Sequence, residues 1–446
     1  MPQTNPSGTI VQALEDDIED VQKLLLLKAM SQYVPNDQHK AITSQPREKL
    51  ANDGYKTWRR YLDNLSYLCD FKSGGKTVVS LYAQDAANDT VFWLATNHPG
   101  GETKNRMRNH LVFILNELSS TPRSIDDPTQ AIMQQSIKLS ADKVKHYYNK
   151  LVAELESIRA ESPSSQTSGD RRIPEIVMDK LQRATGDDEL QNHHMLCSAA
   201  CEIVSSSGYN RIAELSVPPG SRYKKVKHYL IRLCSWYTAS RYVTKYWGMF
   251  AEELRGATVE IVSLDQFHQT TNVNFPPNVR DALLWILGSQ QQPFASALQQ
   301  KLTPAGALLK TEGGRARGSI IHAEAALAEF VHFHEMEPLY EDRYVGCSKQ
   351  SCYGCKIYLS KHPGGFEQRP SHGNAWFKWY PPRLREQPDD RETSSLLRRM
   401  AMVMQADLKD TLLGSNLGKR QLFESTSGVG TTIRHMQEAL RLNKES

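Results

Sequence analysis

A histidine, a carboxylate and two cysteines make residues 318–360, GSIIHAEAALAEFVHFHEMEPLYEDRYVGCSKQSCYGCKIYLS, the stretch of this chain best equipped for chemistry. His322, Cys352 and Cys355 are donors of the kinds zinc favours, and a catalytic zinc takes three protein ligands while keeping a fourth position open for water. Water in that position loses a proton near neutral pH, because the ion brings its pKa down to roughly 7. Glu324 lies two residues from the histidine. A carboxylate that does not ligate the ion can take that proton and pass it to a leaving nitrogen. Zn2+ is therefore the expected cofactor, with His322, Cys352 and Cys355 as ligands and Glu324 as the catalytic proton shuttle.

Helices must position these groups. Ser319 is a candidate cap for a helix opening at the His-Ala-Glu step. Two residues along a helix rotate by about 200°, so His322 and Glu324 do not share a face. Both can still reach a point beyond the helix N-terminus, toward which side chains lean. Cys352 and Cys355, three apart, share one face at the start of a second helix, where exposed N–H groups favour thiolates. Residues 344–348 read as a short strand leading in. The competing reading is a closed structural zinc site, which needs a fourth ligand; Cys347, His332 and His334 are the candidates.

Three motifs taken together resemble the cytidine-deaminase-like superfamily of nucleic acid and nucleotide deaminases. They are Ile321-His-Ala-Glu324, Val345-Gly-Cys-Ser-Lys-Gln-Ser-Cys-Tyr-Gly-Cys355, and Ser371-His-Gly-Asn-Ala-Trp376 followed by Trp379 and Pro381. Within the superfamily the chain is similar to the OTT-type branch abundant in fungal proteomes, which shares the Gly-x-Ser-Lys-x-x-Cys-x-x-Cys run and the Ser-His-Gly element. Ser351 stands where the wider superfamily commonly has proline. The motifs cover roughly residues 318–382, and YLDNLSYLCDFKSGGKTVVSLYA with VFWLATN is similar to the branch's N-terminal segment. The resemblance implies an α/β fold, a three-layer α/β/α sandwich. Its order is helix 1, strands 1 and 2, the His-Ala-Glu helix, strand 3, the Cys-Cys helix and strand 4. It also implies hydrolytic deamination of an amino-bearing nucleobase, cytosine or adenine, in nucleic acid or nucleotide, with zinc-bound hydroxide as nucleophile. On that mapping Asn97 ends strand 2 beside the metal, where related deaminases use an asparagine to hold the substrate. Asn-His-Pro-Gly-Gly is equally good turn chemistry. His372 is a candidate for the pocket wall, or a residue packed at a strand start.

The rest of the chain must supply the scaffold. At 446 residues, with 23 % charged and 39 % hydrophobic residues, it has the composition of a globular protein with room for two or three domains. No run approaches the ~20 apolar residues of a membrane helix, and the first residues lack a secretory signal pattern. Seven cysteines in so long a chain do not make a disulfide framework. The expected setting is intracellular, cytoplasmic or nuclear. A net charge of +4 permits an anionic partner without demanding one.

Residues 1–46 read as a disordered start, a helix over about 9–34 and a polar loop over 35–46. Residues 47–97, the first part of the deaminase domain, hold a helix over 47–71 and β-rich runs at 77–84 and 90–97, a hairpin with a longer loop over 85–89. Residues 98–310 read as a large, mainly helical insertion between strand 2 and the His-Ala-Glu helix. Helices are expected near 105–118, 129–158, 174–183, 189–205, 223–255 and 277–287, with a Ser-rich linker at 161–170 and an isolated strand at 258–264. Residues 311–385 form the zinc-binding part of the domain, with an aromatic, strand-like run at 371–382. Residues 386–446 carry a last amphipathic helix near 393–413 and a Gly/Ser/Thr-rich tail.

Other constellations are weaker. Residues 222–247 hold seven Lys/Arg, no acid and seven Tyr/Trp. The mixture suits nucleic-acid backbones and bases, but a core helix with basic groups snorkelling outward is the better reading. Arg315 and Arg317, in the glycine-rich loop entering the site, are placed to touch a substrate phosphate or are simply solvated. His193-His-Met-Leu-Cys-Ser-Ala-Ala-Cys201 has helical His/Cys spacing, for which buried structural cysteines are the commoner outcome. The expected partner is a nucleobase-containing substrate, single-stranded nucleic acid among its forms, with no membrane. Two further readings stay open: a non-catalytic zinc-stabilised binding module, and a deaminase of a free small molecule.

Overall fold

The computed structural model describes residues 6–32, 53–74, 77–86, 89–97, 100–120, 125–161, 168–184, 189–218, 220–268, 272–273, 275–287, 292–312, 317–318, 320–387 and 391–413. Helices α1 (Pro6–Gln32) and α2 (Asp53–Cys69) precede strands β1 (Val79–Ala86) and β2 (Asp89–Thr96). Next come α3 (Gly101–Ser119), α4 (Asp126–Leu139), α5 (Ala141–Glu161), α6 (Ser168–Gln182), α7 (Glu189–Ser205), α8 (Ser207–Leu215), α9 (Tyr223–Tyr246) and α10 (Ala251–Leu254). They are followed by β3 (Thr258–Ile261), β4 (Asn272–Val273), α11 (Val279–Leu287), α12 (Gln292–Leu302), α13 (Gly306–Glu312) and β5 (Arg317–Gly318). The chain then forms α14 (Ala323–Phe333), β6 (Gly346–Cys347), α15 (Tyr353–Lys361) and α16 (Arg391–Leu413).

The central sheet runs β3-β2-β1-β6. β1 pairs antiparallel with β2 and β6, and β2 takes β3 in parallel. Strand side chains alternate between faces. Val79, Leu81, Ala83, Phe92 and Leu94 therefore enter a core shared with α2, while Tyr82 and Ala95 enter a second core with α14 and α15. The expected three layers are present, with α2 on one side of the sheet and α14 and α15 on the other. Gly346 lets α2 approach β6: a Cβ there would lie 2.6 Å from Leu62 Cβ, an overlap that close packing does not tolerate.

The stretch between β2 and α14 is mainly helical, as expected, and divides between the two cores. Helices α3 to α10 fill the α2 side, whereas α11 to α13 pack with α1, α14, α15 and α16. Helix α9 is a core element: Leu230, Leu233, Trp236 and Val243 are buried, Lys224 and Lys245 are exposed, and Lys225 pairs with Glu154 at 2.6 Å. The basic, aromatic 222–247 segment is thus a packed helix with charged edges. No helix among the described residues is long and apolar enough to cross a membrane.

Several elements differ from expectation for local reasons. The hairpin pairs continuously from Val79↔Thr96 to Ala86↔Asp89, so its connection is 87–88 rather than a loop over 85–89. The periodic stretch 129–158 breaks at Ser140, whose φ −101° and ψ 17° leave the helical region. The helix expected to reach residue 255 ends at Tyr246 and continues as a 3₁₀ turn over Trp247–Met249 and then α10. The strand at 258 is not isolated; it extends the sheet in register from Val91↔Thr258 to Leu94↔Ile261. Helix α6 begins at Ser168, inside the expected linker, of which 162–167 lie outside the described residues. Residues 371–382 form no strand, only the bridges Ser351↔Ser371 and Ile320↔Trp379, because Pro370, Pro381 and Pro382 remove ladder donors. Strand 4 of the resemblance is reduced to the first of these bridges. Helices α8, α12 and α13 were not anticipated. The expectations for 1–5, 35–46 and 414–446 lie outside the described residues.

Candidate metal centre and active site

Two helix N-termini meet at the site. His322, with extended φ −82° and ψ 139°, is the residue before α14; Ser319, expected there, lies outside the described residues. Extended backbone at His322 swings its imidazole away from the helix wall, so that it converges with Glu324 in the first turn. Asn97 Oδ1 accepts the Ala323 N–H at 2.7 Å, satisfying one of the orphan donors every helix start carries. Cys352 caps α15, its Sγ accepting the Cys355 N–H at 3.4 Å.

The donors close on one point. His322 Nδ1 lies 3.5 Å from Cys352 Sγ and 3.4 Å from Cys355 Sγ. One donor atom from each of His322, Glu324, Cys352 and Cys355 lies within 4.8 Å of the others. Zinc–nitrogen and zinc–sulfur bonds of ~2.05 and ~2.3 Å at a tetrahedral angle would set nitrogen and sulfur ~3.6 Å apart, so this donor set fits zinc. Burial opposes a charge on Cys352, but hydrogen bonds from Cys355 and His322 hold it well below the ordinary thiol range. Cys355, buried and bonded to that thiolate, is pushed well above it. Burial also opposes an imidazolium at His322, yet the Cys352 thiolate outweighs it and leaves the pKa raised.

None of the candidate fourth ligands belongs to the cluster. Cys347 lies in β6, where its N–H donates to Asp63 and its carbonyl accepts from Arg369. His332 faces Glu392 at 3.4 Å and His334 faces Glu386 at 3.9 Å. Among the described residues, His193, Cys197 and Cys201 form no metal-compatible group either.

Residues around the cluster fix its members. Trp379 donates its indole N–H to Cys355 Sγ at 3.2 Å. Tyr358 and His362 of the α15 region both bond Glu329 Oε2 of α14, at 2.5 and 3.0 Å, and clasp the two helices together. Glu324 Oε2 accepts from Ser351 Oγ and Arg369 Nη1, each at 3.0 Å. Arg369, with a side chain 1 % exposed, also reaches Asp63 Oδ1 at 2.9 Å. His372 is buried beside Cys352. Its Nδ1 accepts the Asn374 N–H at 3.0 Å, and burial lowers its pKa to about 4, so the ring is neutral with its proton on Nε2. Gln32 of α1 grips the same loop, its Nε2 donating to the Gly373 carbonyl and its Oε1 accepting from Ala375 N–H at 2.7 and 3.0 Å.

The structure thus gathers His322, Glu324, Cys352, Cys355, Asn97 and His372. It does not place Arg315, which lies outside the described residues, and it gives Arg317 only as β5 backbone opposite Val273. Ser351, Arg369, Asp63 and Gln32 were missed as site residues. Only Ser351 carried a signal, its departure from proline; a lone arginine and an aspartate 306 positions away carry none.

The layered sheet and the His-x-Glu and Cys-x-x-Cys groups at two helix starts define a deaminase domain of the cytidine-deaminase-like kind. Residues 321–383 match the deaminase family model OTT_1508_deam, and the chain carries a deaminase domain of that family over this span. The match takes in His322, Glu324, Cys352, Cys355, Arg369 and His372. No curated protein and no solved structure matches the chain.

Proposed function

We propose that the protein is a zinc-dependent hydrolytic deaminase acting on an amino-bearing nucleobase, cytosine or adenine, in nucleic acid or nucleotide. The observation that carries this reading is a buried carboxylate set against a histidine and two cysteines whose spacing suits tetrahedral zinc. His322, Cys352 and Cys355 hold the ion, which when bound supplies Lewis acidity and brings the pKa of water to about 7. Glu324 takes a proton from the attacking water and gives it to the ring nitrogen of the base. It then carries the second proton, from the new hydroxyl, to the amino group that departs as ammonia. Neutral His372 offers an Nε2–H at the wall beside Cys352, and Asn97 lies where a substrate would meet the start of α14. Arg315 and Arg317, which precede Ile320 in the chain, are the proposed contacts for substrate phosphate. The proposed domain is assembled from 47–97 and 311–385, with 98–310 inserted between them.

The test is to incubate zinc-loaded protein with a panel of nucleosides and single-stranded oligonucleotides, measuring ammonia and product mass. Wild type should bind about one zinc per chain and release ammonia. Glu324→Ala should keep the zinc and lose activity by at least about 10²–10⁴-fold. Full activity in that variant would sink the mechanism. Loss of zinc from it would instead make Glu324 a fourth ligand and favour a closed binding module.

A further inference from the structure

We propose that Ser351 and Arg369 act as positioning residues, a two-donor clamp on one oxygen of Glu324, with Asp63 as the fixed counter-charge of Arg369. The clamp rests on the reading of Glu324 as proton carrier and explains how so mobile a side chain is aimed. A carboxylate on a first-turn glutamate has free torsions, and each must be frozen before a proton can pass along one defined line. Here Oε2 receives two donors, Ser351 Oγ and Arg369 Nη1, both at 3.0 Å. Oε1 is then the oxygen assigned to proton exchange with water and substrate.

The guanidinium is itself held on every side. Nη2 donates to Asp63 Oδ1 at 2.9 Å and to the carbonyls of Cys347 and Lys349 at 3.1 Å. Nε donates to Tyr344 Oη at 3.2 Å. Asp63 is fixed in turn by Tyr344 Oη and the Cys347 N–H, both at 2.9 Å. The planar fork aims separate nitrogens, Nη1 and Nη2, at the two carboxylates in a fixed geometry that the single nitrogen of a lysine ammonium does not reproduce. Because Asp63 stays paired with Arg369, the buried arginine is never left without a partner when the Glu324 carboxylate changes its contacts.

Ser351 links this clamp to the His372 loop. It is fully buried, donates its N–H to the Pro370 carbonyl at 3.0 Å, and accepts at its own carbonyl from Ser371 Oγ and the His372 N–H. A proline here would lack both the N–H and the hydroxyl. The residue that departs from the superfamily pattern is therefore the one that, with Arg369, grips Glu324.

The test uses the full chain. Ser351→Ala removes only the hydroxyl; it should keep about one zinc per chain and a KM within about twofold, while kcat falls about tenfold. Arg369→Lys keeps the charge but loses the fork, and its kcat should fall further, about 100-fold, with zinc retained. A merely structural role would lower zinc content and activity together. In zinc-free protein, the melting-midpoint shift from Ser351→Ala should be clearly smaller in a Glu324→Ala background than in wild type. Wild-type kcat in both single variants, parallel loss of zinc and activity in Ser351→Ala, or equal midpoint shifts in the two backgrounds would overturn the clamp. If wild type releases no ammonia from any substrate in the panel, the functional reading fails while the midpoint comparison still decides the clamp.

Discussion

Two regions of this molecule carry a cysteine pair at helical spacing with a histidine among their residues, and among the described residues only one of them gathers metal donors. On α7, Cys197 and Cys201 sit mid-helix, buried against Cys234 of α9. The Cys201 thiol bonds the Cys234 carbonyl at 3.5 Å, and burial drives the Cys197 and Cys201 pKa values far up. At α15, Cys352 is the cap itself, next to His322, and its pKa is held well below the ordinary thiol range by hydrogen bonds from Cys355 and His322 despite equal burial. Both cysteine pairs are helical neighbours, four apart on α7 and three apart at α15; what differs is a helix start with spare N–H groups and a histidine in reach. A thiol on a helix flank packs as a small apolar group, whereas one at a helix mouth can ligate.

The largest test of this contrast is to exchange one thiol in each region. Cys352→Ser should leave the dialysed protein with little zinc, an affinity loss of at least about 100-fold, whereas Cys201→Ser should bind zinc as wild type does. Metal analysis of both decides it, and zinc loss from the α7 variant would break the contrast. A smaller effect is expected from Trp379→Phe, which removes the indole N–H from Cys355 Sγ while keeping an aromatic side chain. Zinc affinity should fall by about 10-fold, the lower end for an outer partner of a ligand, as read by competition with a chromophoric chelator. No change would confine the metal's support to the cluster itself.

The smallest effect separates the helical core from the site through acid. His110 of α3 is buried, with Nε2 2.9 Å from Ser136 Oγ and no partner for Nδ1, and burial lowers its pKa from 6.5 to about 4. The unfolded chain therefore takes up this proton first. The stability that neutral His110 contributes is fully present above about pH 6.5 and is lost as pH falls toward 4, at about 1.4 kcal/mol per pH unit. His110→Leu should flatten the decline of the melting midpoint over that window and leave zinc content unchanged. An unaltered decline would show that other groups control it.

Much of the site was legible because its chemistry is local. His322 with Glu324, and Cys352 with Cys355, are pairs two and three residues apart, and the helices that aim them follow from apolar periodicity. Asn97 and His372 were reachable only through resemblance, since nothing in their own neighbourhoods distinguishes a pocket wall from a turn. Arg369, Asp63 and Gln32 were not reachable at all. Their importance lies in partners far away in the chain, and no composition or period marks them. The strand β3 was read as isolated for the same reason, because it pairs with β2 across the whole helical bundle.

The amino-acid sequence by itself determined the donor set, the helix starts that carry it and the mainly helical character of the stretch between β2 and α14. These depend on residue type and short-range spacing, which the chain states directly. Only the tertiary structure decided that Cys347 stays outside the cluster, that α7 keeps its thiols to itself, and that Glu324 is held by a serine and an arginine. Each of those outcomes turns on where distant segments pack within a few ångströms, and burial and pairing at that range set whether a charged or thiol group acts or merely fills space.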